Sequence, residues 1–408
     1  MLFRGRVAPT LSALHLPREL AAGEQFRLAL ERMRPGHQVT LLLDGAAAYP
    51  AMLEAIVQAT ISIELETYLW ASDENGRRFR DVLCIKAQEG VRVRAVIDGA
   101  GSWGFSGDDI RRLAAAGVQL SIFHPVRPWR RRWGWQIRDH RKLLVIDGKS
   151  AFTGGLNLGN DYAPLEWGGR GWRDVHARIE GPVVAELRRL FEMTWRYAAP
   201  ETWEPPPELP LPRHAHHVEQ AAISTSSTRV QALAIGRWLG RRVIQRHLQQ
   251  AIGAARKTVW IEAAYFIPTR ALRRALRNAA RRGVDVRVMV PRHLDVPGLG
   301  DASRYTWTVL LKDGVRILEW LPSMLHAKTI AIDSEWCSLG SYNLDQRSLR
   351  YNWELAVSIA DPAVAVQLEQ RFESGLANCA EVSASEWRKR GLFHRVRERF
   401  FYFFRLWL

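Results

Sequence analysis

The sequence predicts an α/β protein made of two homologous halves that build one shared active site. Three observations carry this reading. β-prone apolar runs alternate with amphipathic helical runs. The pattern H-x-K-x-x-x-x-D, which starts at His140, is written again from His326. The motif positions His140, Lys142, Asp147 and Asn157 recur as His326, Lys328, Asp333 and Asn343 at a constant offset of 186 residues.

The elements follow in order from about residue 36. Strand-like "QVTLLLDG", "TISIELETYLW" and "VRVRAVIDG" are separated by helical "AYPAMLEAIVQA" and "RRFRDVLCIKAQEG". That alternation predicts parallel strand pairs in a sheet covered by helices. The proline-rich "APETWEPPPELPLPRHAHH" reads as a linker. The second half then replays the first with "RRVIQRHLQQAIGAA", "KTVWIEAAYFI", "TRALRRALRNAARRG" and "VDVRVMV". Gly90 and Gly283 each close the helix between a strand pair, where left-handed backbone is cheap for glycine. The expected divisions are a leader over residues 1–35, a first domain over 36–199, a linker over 200–228, a second domain over 229–383 and a basic amphipathic helix over 384–408. A repeat of this length predicts duplication about a pseudo-twofold axis.

Composition narrows the partners. A formal net charge of +16 on 408 residues favours anionic partners, namely nucleic acid, acidic lipid or phosphate-bearing substrates. Seventeen tryptophans suit a boundary between water and lipid. Three cysteines, far apart and without a C-x-x-C, offer neither a disulfide framework nor a zinc cluster and suit a reducing compartment. No apolar run reaches the ~20 residues of a spanning helix. Pro9, His15 and Pro17 spoil the first residues as a signal peptide. The expectation is a cytoplasmic protein.

The motif carries the chemistry. In "HRKLLVID" the apolar run reads as a strand, so His140 and Lys142 share a face and Asp147 takes the other. Asp147-Gly148 is a hairpin-turn signal, which makes the aspartate a structural residue. The returning strands end in Gly155 and Asn157, and in Ser341 and Asn343. These small and neutral groups allow close approach and donate hydrogen bonds to an oxyanion. Each half thus offers an imidazole, an ammonium and an amide, a set suited to phosphate. Two halves supply a nucleophile on one side of a phosphodiester and an acid on the other. The lysines hold the non-bridging oxygens, with no metal required. A carboxylate is needed to fix each imidazole tautomer. Asp174, downstream of His140, and Glu354, downstream of His326, are the candidates. Six extra residues before Asp174 fall in "YAPLEWGGRGW".

These residues resemble the phospholipase D superfamily, marked by a duplicated HxKxxxxD with a trailing G-[GS]-x-N. The likeness is strongest to bacterial cardiolipin synthases of the short form that lacks amino-terminal membrane spans. "ELETYLW", "AAYFIPT" and the basic aromatic C-terminus share it, and it covers about residues 36–408. The resemblance implies two phospholipase D-type α/β/α sandwich domains, each a mixed sheet flanked by helices. It implies transfer of a phosphatidyl group between two phosphatidylglycerols, giving cardiolipin and glycerol through a phosphatidyl-histidine. It assigns His140 as nucleophile and His326 as acid and base, and counts Lys142, Asp147, Lys328 and Asp333 with the catalytic set. Phosphate binding falls to both lysines, Asn157 and Asn343, with Ser341 and Gly155 in the same element; histidine orientation falls to Asp174 and Glu354. No cofactor is implied. The implied partners are phosphatidylglycerol and the membrane surface at the cytoplasmic face, without nucleic acid. A hydrolase, a nuclease of the same superfamily and a non-enzymatic membrane binder are the competing readings.

Other features are weighed beside the motif. Gly99, Gly101 and Gly104 fit G-x-G-x-x-G, but no helix opens inside the pattern, so a dinucleotide site is not expected. His214, His216 and His217 sit in the linker and read as solvated. Glu64, Glu66 and Glu262 lie near strand ends, either lining the cleft or forming structural ion pairs. "PVRPWRRRWGWQIRDH" places arginines and tryptophans before His140, suited to lipid headgroups. The C-terminus spaces Leu392, Val396, Phe400, Phe403 and Trp407 at helical intervals among basic residues, as in a helix lying in a membrane interface. The alternative is a helix docked by its aromatic face on its own domain.

Overall fold

The computed structural model describes residues 21–126, 136–199, 226–237 and 239–406. The chain divides into two compact units. One is built from residues 34–171 and 175–231. The other takes the chain from 232 onward, the short segment Trp172–Asp174 and the helix at the start of the described chain.

Helix α1 (Ala22–Glu31) comes first in the chain. The first unit then contains β1 (Gln38–Leu43), α2 (Asp44–Gln58), β2 (Ser62–Thr67), α3 (Glu74–Gln88), β3 (Arg92–Asp98), α4 (Gly107–Ala115) and β4 (Gln119–Phe123). It continues with β5 (Leu143–Ile146), β6 (Ser150–Gly154), β7 (Val175–Glu180) and α5 (Val183–Ala198). The second sheet begins with β8 (Arg229–Ile235), α6 (Val243–Ala254), β9 (Thr258–Ala263), α7 (Arg270–Arg281), β10 (Asp285–Pro291), α8 (Leu299–Lys312) and β11 (Arg316–Trp320). There follow β12 (Lys328–Ile332), β13 (Trp336–Gly340), α9 (Gln346–Arg350), β14 (Glu354–Ala360), α10 (Pro362–Gly375), β15 (Cys379–Glu381), α11 (Ala384–Lys389) and α12 (Leu392–Phe403).

The two sheets have the same topology. The first runs β1-β7-β6-β5-β2-β3-β4, and the second runs β8-β14-β13-β12-β9-β10-β11 with β15 added at the edge. The predicted parallel pairs are β2 with β3 and β9 with β10. β5–β6 and β12–β13 are the antiparallel hairpins that carry the motifs. Helices cover strands that are buried along their whole length: β5 reads as a continuous apolar run, whereas β2 also buries Glu64 and Glu66. Gly90 and Gly283 both adopt φ of +90°, as their positions require. Asp147 and Gly148 turn the first hairpin with φ of +53° and +65°. Asp333 and Ser334 turn the second with +56° and +57°. Gly101 fits a close approach, since a Cβ there would lie 2.3 Å from the Tyr68 carbonyl oxygen. A Cβ on Gly99 would similarly lie 2.7 Å from the His124 carbonyl oxygen, so these two glycines serve packing.

The structure adds detail to three of the expected divisions. The leader contains α1, whose Phe26 is buried in the second core edge-on to Trp336 (5.4 Å) and His247 (5.6 Å). It needs that apolar bed because Phe26 and Ala29 face inward together. Residues 172–174 fold with the second unit although they lie within the first repeat. The C-terminal segment forms two helices, α11 and α12, broken at Arg390-Gly391. The linker residues 200–225, with the three histidines, lie outside the described residues, as do 127–135 of the arginine–tryptophan loop and Trp407.

Phe26→Ala is expected to cost about 3–5 kcal/mol of unfolding free energy in a urea titration. A leader without a structural role would leave the midpoint unmoved.

Candidate active site

The second motif shows how one half-site is assembled. β12 opens at Lys328, and His326 stands just ahead of it. Beside this stretch runs Trp172–Asp174, paired in parallel through Arg173 and Leu325. The His326 amide donates to the Arg173 carbonyl at 2.7 Å, and the Arg173 amide donates to the Met324 carbonyl at 2.9 Å. That pairing delivers Asp174 to the histidine. Asp174 Oδ2 lies 2.7 Å from His326 Nδ1, with both side chains buried. Nδ1 therefore carries a proton donated to the carboxylate, and Nε2 keeps its lone pair for attack or proton transfer. The Trp172 and Tyr265 rings flank the imidazole at 5.7 and 6.4 Å.

A buried ion-pair cluster secures the delivering segment. Arg173 donates from Nε (2.9 Å) and Nη2 (2.7 Å) to Glu262 Oε1, and from Nη2 to the Arg371 carbonyl at 2.8 Å. Arg371 in turn donates to the Asp174 carbonyl at 2.9 Å. The Arg173 guanidinium also stacks 4.5 Å over Trp320. Removing one partner of such a cluster strands a buried charge, so its members are mutually dependent.

Lys328 donates to the His326 carbonyl, and its Nζ is 3.0 Å from each ring nitrogen. Burial lowers its pKa to about 8 against the opposing pull of Asp174, Glu354, Asp295 and Asp345. It is still a cation at neutral pH. Ser341 donates to Glu354 and accepts from the Leu355 amide at 3.0 Å; Asn352 donates to Glu354 at 3.2 Å. Asn343 is buried, and its Oδ1 has no hydrogen-bond partner among the described residues.

The first motif is built on the same scaffold with different neighbours. Lys142 donates to the His140 carbonyl at 2.7 Å, and its ammonium sits 5.3 Å over the Tyr68 ring. Tyr68 meets the His140 ring edge-on at 5.0 Å. Asn157 is more engaged than Asn343: it accepts from the Leu69 amide at 3.3 Å and donates to Tyr162 Oη at 2.6 Å. Gly154 and Gly340 open the G-[GS]-x-N elements. A Cβ on either would lie 2.3 Å from a carbonyl oxygen of the next strand, Val175 or Leu355. The amides of Gly155 and Ser341 bond to those same carbonyls, so sheet pairing uses them.

Glu66 and Glu262 occupy equivalent places, opposite Leu143 and Thr329. Each is buried beneath its motif, and each needs a cation. Arg141, two residues from Asp139, serves Glu66 at 3.6 Å, with Thr194 donating to Glu66 Oε1 at 3.0 Å. The second motif has Ala327 at that place, and Arg173 serves Glu262 instead. Asp139, where the second motif has Leu325, is a buried acid whose pKa is raised well above the usual range by desolvation and by the neighbouring Glu66. Its Oδ2 and Glu66 Oε2 find no partner unless one acid keeps its proton. Burial raises the pKa of the Glu66 carboxyl as well, so the pair favours holding a shared proton. Glu64 is buried near Arg92, Arg94 and Arg188. All three glutamates form buried ion pairs.

Two sequence assignments change. Asp174, counted forward from His140, bonds instead to His326, because tertiary pairing assigns residues 172–174 to the second unit. Asp147 and Asp333, counted with the catalytic set by resemblance, spend their carboxylates on backbone amides. Asp147 accepts from Thr60 (3.0 Å), Ile61 (2.8 Å) and Ser62 (2.8 Å) ahead of β2. Asp333 accepts from Arg256 (2.8 Å), Lys257 (2.7 Å) and Thr258 (2.8 Å) ahead of β9. Burial alone would raise the Asp147 pKa, but these amides lower it. Sequence reasoning missed Arg173, Arg371, Asp139 and Arg141. Only the charged run "RDHRK" signalled any of them.

Asp147→Asn or Asp333→Asn is expected to lower the unfolding free energy by about 2 kcal/mol in urea while the folded protein keeps most of its turnover. A catalytic aspartate would show the reverse pattern. Because Lys328 loses its charge as pH rises through about 8, kcat/KM is expected to fall above that pH, and Lys328→Arg should move the fall upward. An alkaline limb unmoved by Lys328→Arg would assign the titration to another group.

Comparison with known proteins agrees with this geometry. The family described as "Cardiolipin synthase, PLD-like domain" matches residues 52–195 and 248–376. A probable cardiolipin synthase of Bacillus subtilis is 32% identical over 98% of this chain and 78% of its own length. Cardiolipin synthase A of Pseudomonas entomophila is 34% identical over 89% of this chain and 72% of its own. Among solved structures, phosphatidylserine synthase of Haemophilus influenzae superposes with a TM-score of 0.71 at 15% identity, covering 95% of this chain and all of that one. That likeness speaks for the fold. The duplicated motif, the repeated sheet and the extent of these relatives together place the chain in the phospholipase D-like cardiolipin synthase family.

Proposed function

We propose that this chain is a phosphatidyltransferase that makes cardiolipin from two molecules of phosphatidylglycerol. The observation that carries the reading is the buried Asp174–His326–Lys328 set, an oriented imidazole beside a cation, on a motif that the chain writes twice. In the first step His140 Nε2 attacks the phosphorus of one phosphatidylglycerol. The bond to glycerol oxygen breaks, and His326, protonated at Nε2, gives that oxygen its proton. In the second step His326 takes the proton from a glycerol hydroxyl of the other lipid, and that oxygen displaces His140 from phosphorus. Asp174 stabilises the imidazolium form that His326 holds before the first step and regains in the second, and it fixes the neutral tautomer between them. The lysines and Asn157 and Asn343 hold the non-bridging oxygens.

The reaction belongs at a lipid surface. Among the described residues no helix is long and apolar enough to cross a membrane, and the net charge of +16 suits an anionic one. The reading places the protein peripherally at the cytoplasmic face, without nucleic acid as a partner.

Purified protein with phosphatidylglycerol vesicles is expected to release glycerol and cardiolipin in equal amounts, and rapid denaturation at alkaline pH, where a P–N bond survives, should trap phosphorus on His140. His140→Ala and His326→Ala should each cost roughly 10²–10⁴-fold in rate. Phosphatidic acid as the product would make the enzyme a hydrolase. Cleaved DNA beside untouched lipid would make it a nuclease.

A further inference from the structure

Helix α12 is firmly docked and still leaves an apolar face outward. Its inner face packs on α8. Arg397 donates to Asp301 from Nε (3.0 Å) and Nη2 (2.8 Å), and Glu398, buried, accepts from Arg390 twice at 3.0 Å. Phe401 and Tyr402 close a small core around Ile267, Leu299 and Ala302. Tyr402 also stacks on Tyr305 at 4.3 Å and accepts from Arg273 at 3.2 Å. The outer face carries Leu392, Phe393, Val396, Phe400 and Phe403, which are 58–76% exposed. So large an apolar stripe on one helix marks a binding surface.

Charge identifies the occupant. Arg395 and Arg399 run along one margin of the stripe, one helical turn apart, and Arg388 and Lys389 precede it on α11. All four are exposed, and none forms an ion pair among the described residues. The acid of α12, Glu398, is turned inward and neutralised by Arg390. A second copy of the chain would bring like charges together at this margin. An anionic bilayer accepts both the stripe and its cations.

The same small core reaches the second motif. Tyr265 packs against it, donates to Asp295 at 2.8 Å and meets the His326 ring edge-on at 6.4 Å. We propose that the outer face of α12 docks the protein on an anionic lipid surface, and that its packing through Phe401 and Tyr265 holds the His326 half-site beside the headgroups. This deepens the lipid-transfer reading above and rests on it for the identity of the surface.

Flotation with phosphatidylglycerol–phosphatidylcholine vesicles tests it, using wild type and the double variant Phe400→Glu/Phe403→Glu. The variant is expected to lose roughly tenfold or more in vesicle partitioning yet keep turnover on short-chain phosphatidylglycerol below its micelle concentration. Wild-type binding should fall with salt and be absent on pure phosphatidylcholine. Unchanged partitioning of the variant overturns the proposal. So does a wild-type dimer that light scattering shows the variant turning into monomer, since that gives the face to a second copy. Wild type that floats but forms no cardiolipin leaves the dock standing and removes the transfer reading.

Discussion

The bond from His326 Nδ1 to Asp174 Oδ2 constrains much of the second unit. A buried carboxylate is expensive unless it is paired, and a buried imidazole is useful only in one tautomer. The bond meets both needs at once, and it depends on three residues borrowed from elsewhere in the chain. Trp172–Asp174 pairs alongside the motif, Arg173 is gripped by Glu262, and Arg371 takes the Asp174 carbonyl. The inserted loop that lengthens the first repeat by six residues ends at this segment. Its extra length precedes a segment that folds with the other unit.

The halves are alike in topology and unlike in electrostatics. Both bury a glutamate beneath the motif, at Glu66 and Glu262. In the first half the counter-charge is Arg141 within the motif, joined by Asp139, whose pKa burial and Glu66 raise. In the second half the motif is apolar there, with Leu325 and Ala327, and Arg173 comes in to serve. The second site thus depends on a segment distant in sequence.

Much of this was legible in the residues. The parallel strand pairs, the glycines at 90 and 283 and the Asp147-Gly148 turn follow from local rules that the fold obeys. Strand parity set Asp147 apart from His140 and Lys142, and the amides it accepts from explain why. The partner of Asp174 was not legible, because spacing along one repeat says nothing about a segment that crosses to another sheet. Phe26 was hidden for a similar reason: a ten-residue helix ahead of the first repeat shows no partner until Trp336 and His247 surround it. The buried arginines Arg173 and Arg371 look in sequence like any others of a basic chain.

The tautomer of His326 tests the account most directly. In protein labelled with ¹⁵N in its imidazoles, nuclear magnetic resonance at neutral pH is expected to show the His326 ring proton on Nδ1, shifted far downfield by the Asp174 carboxylate and lost in Asp174→Ala. A ring protonated on Nε2 alone, with Asp174 intact, would contradict it.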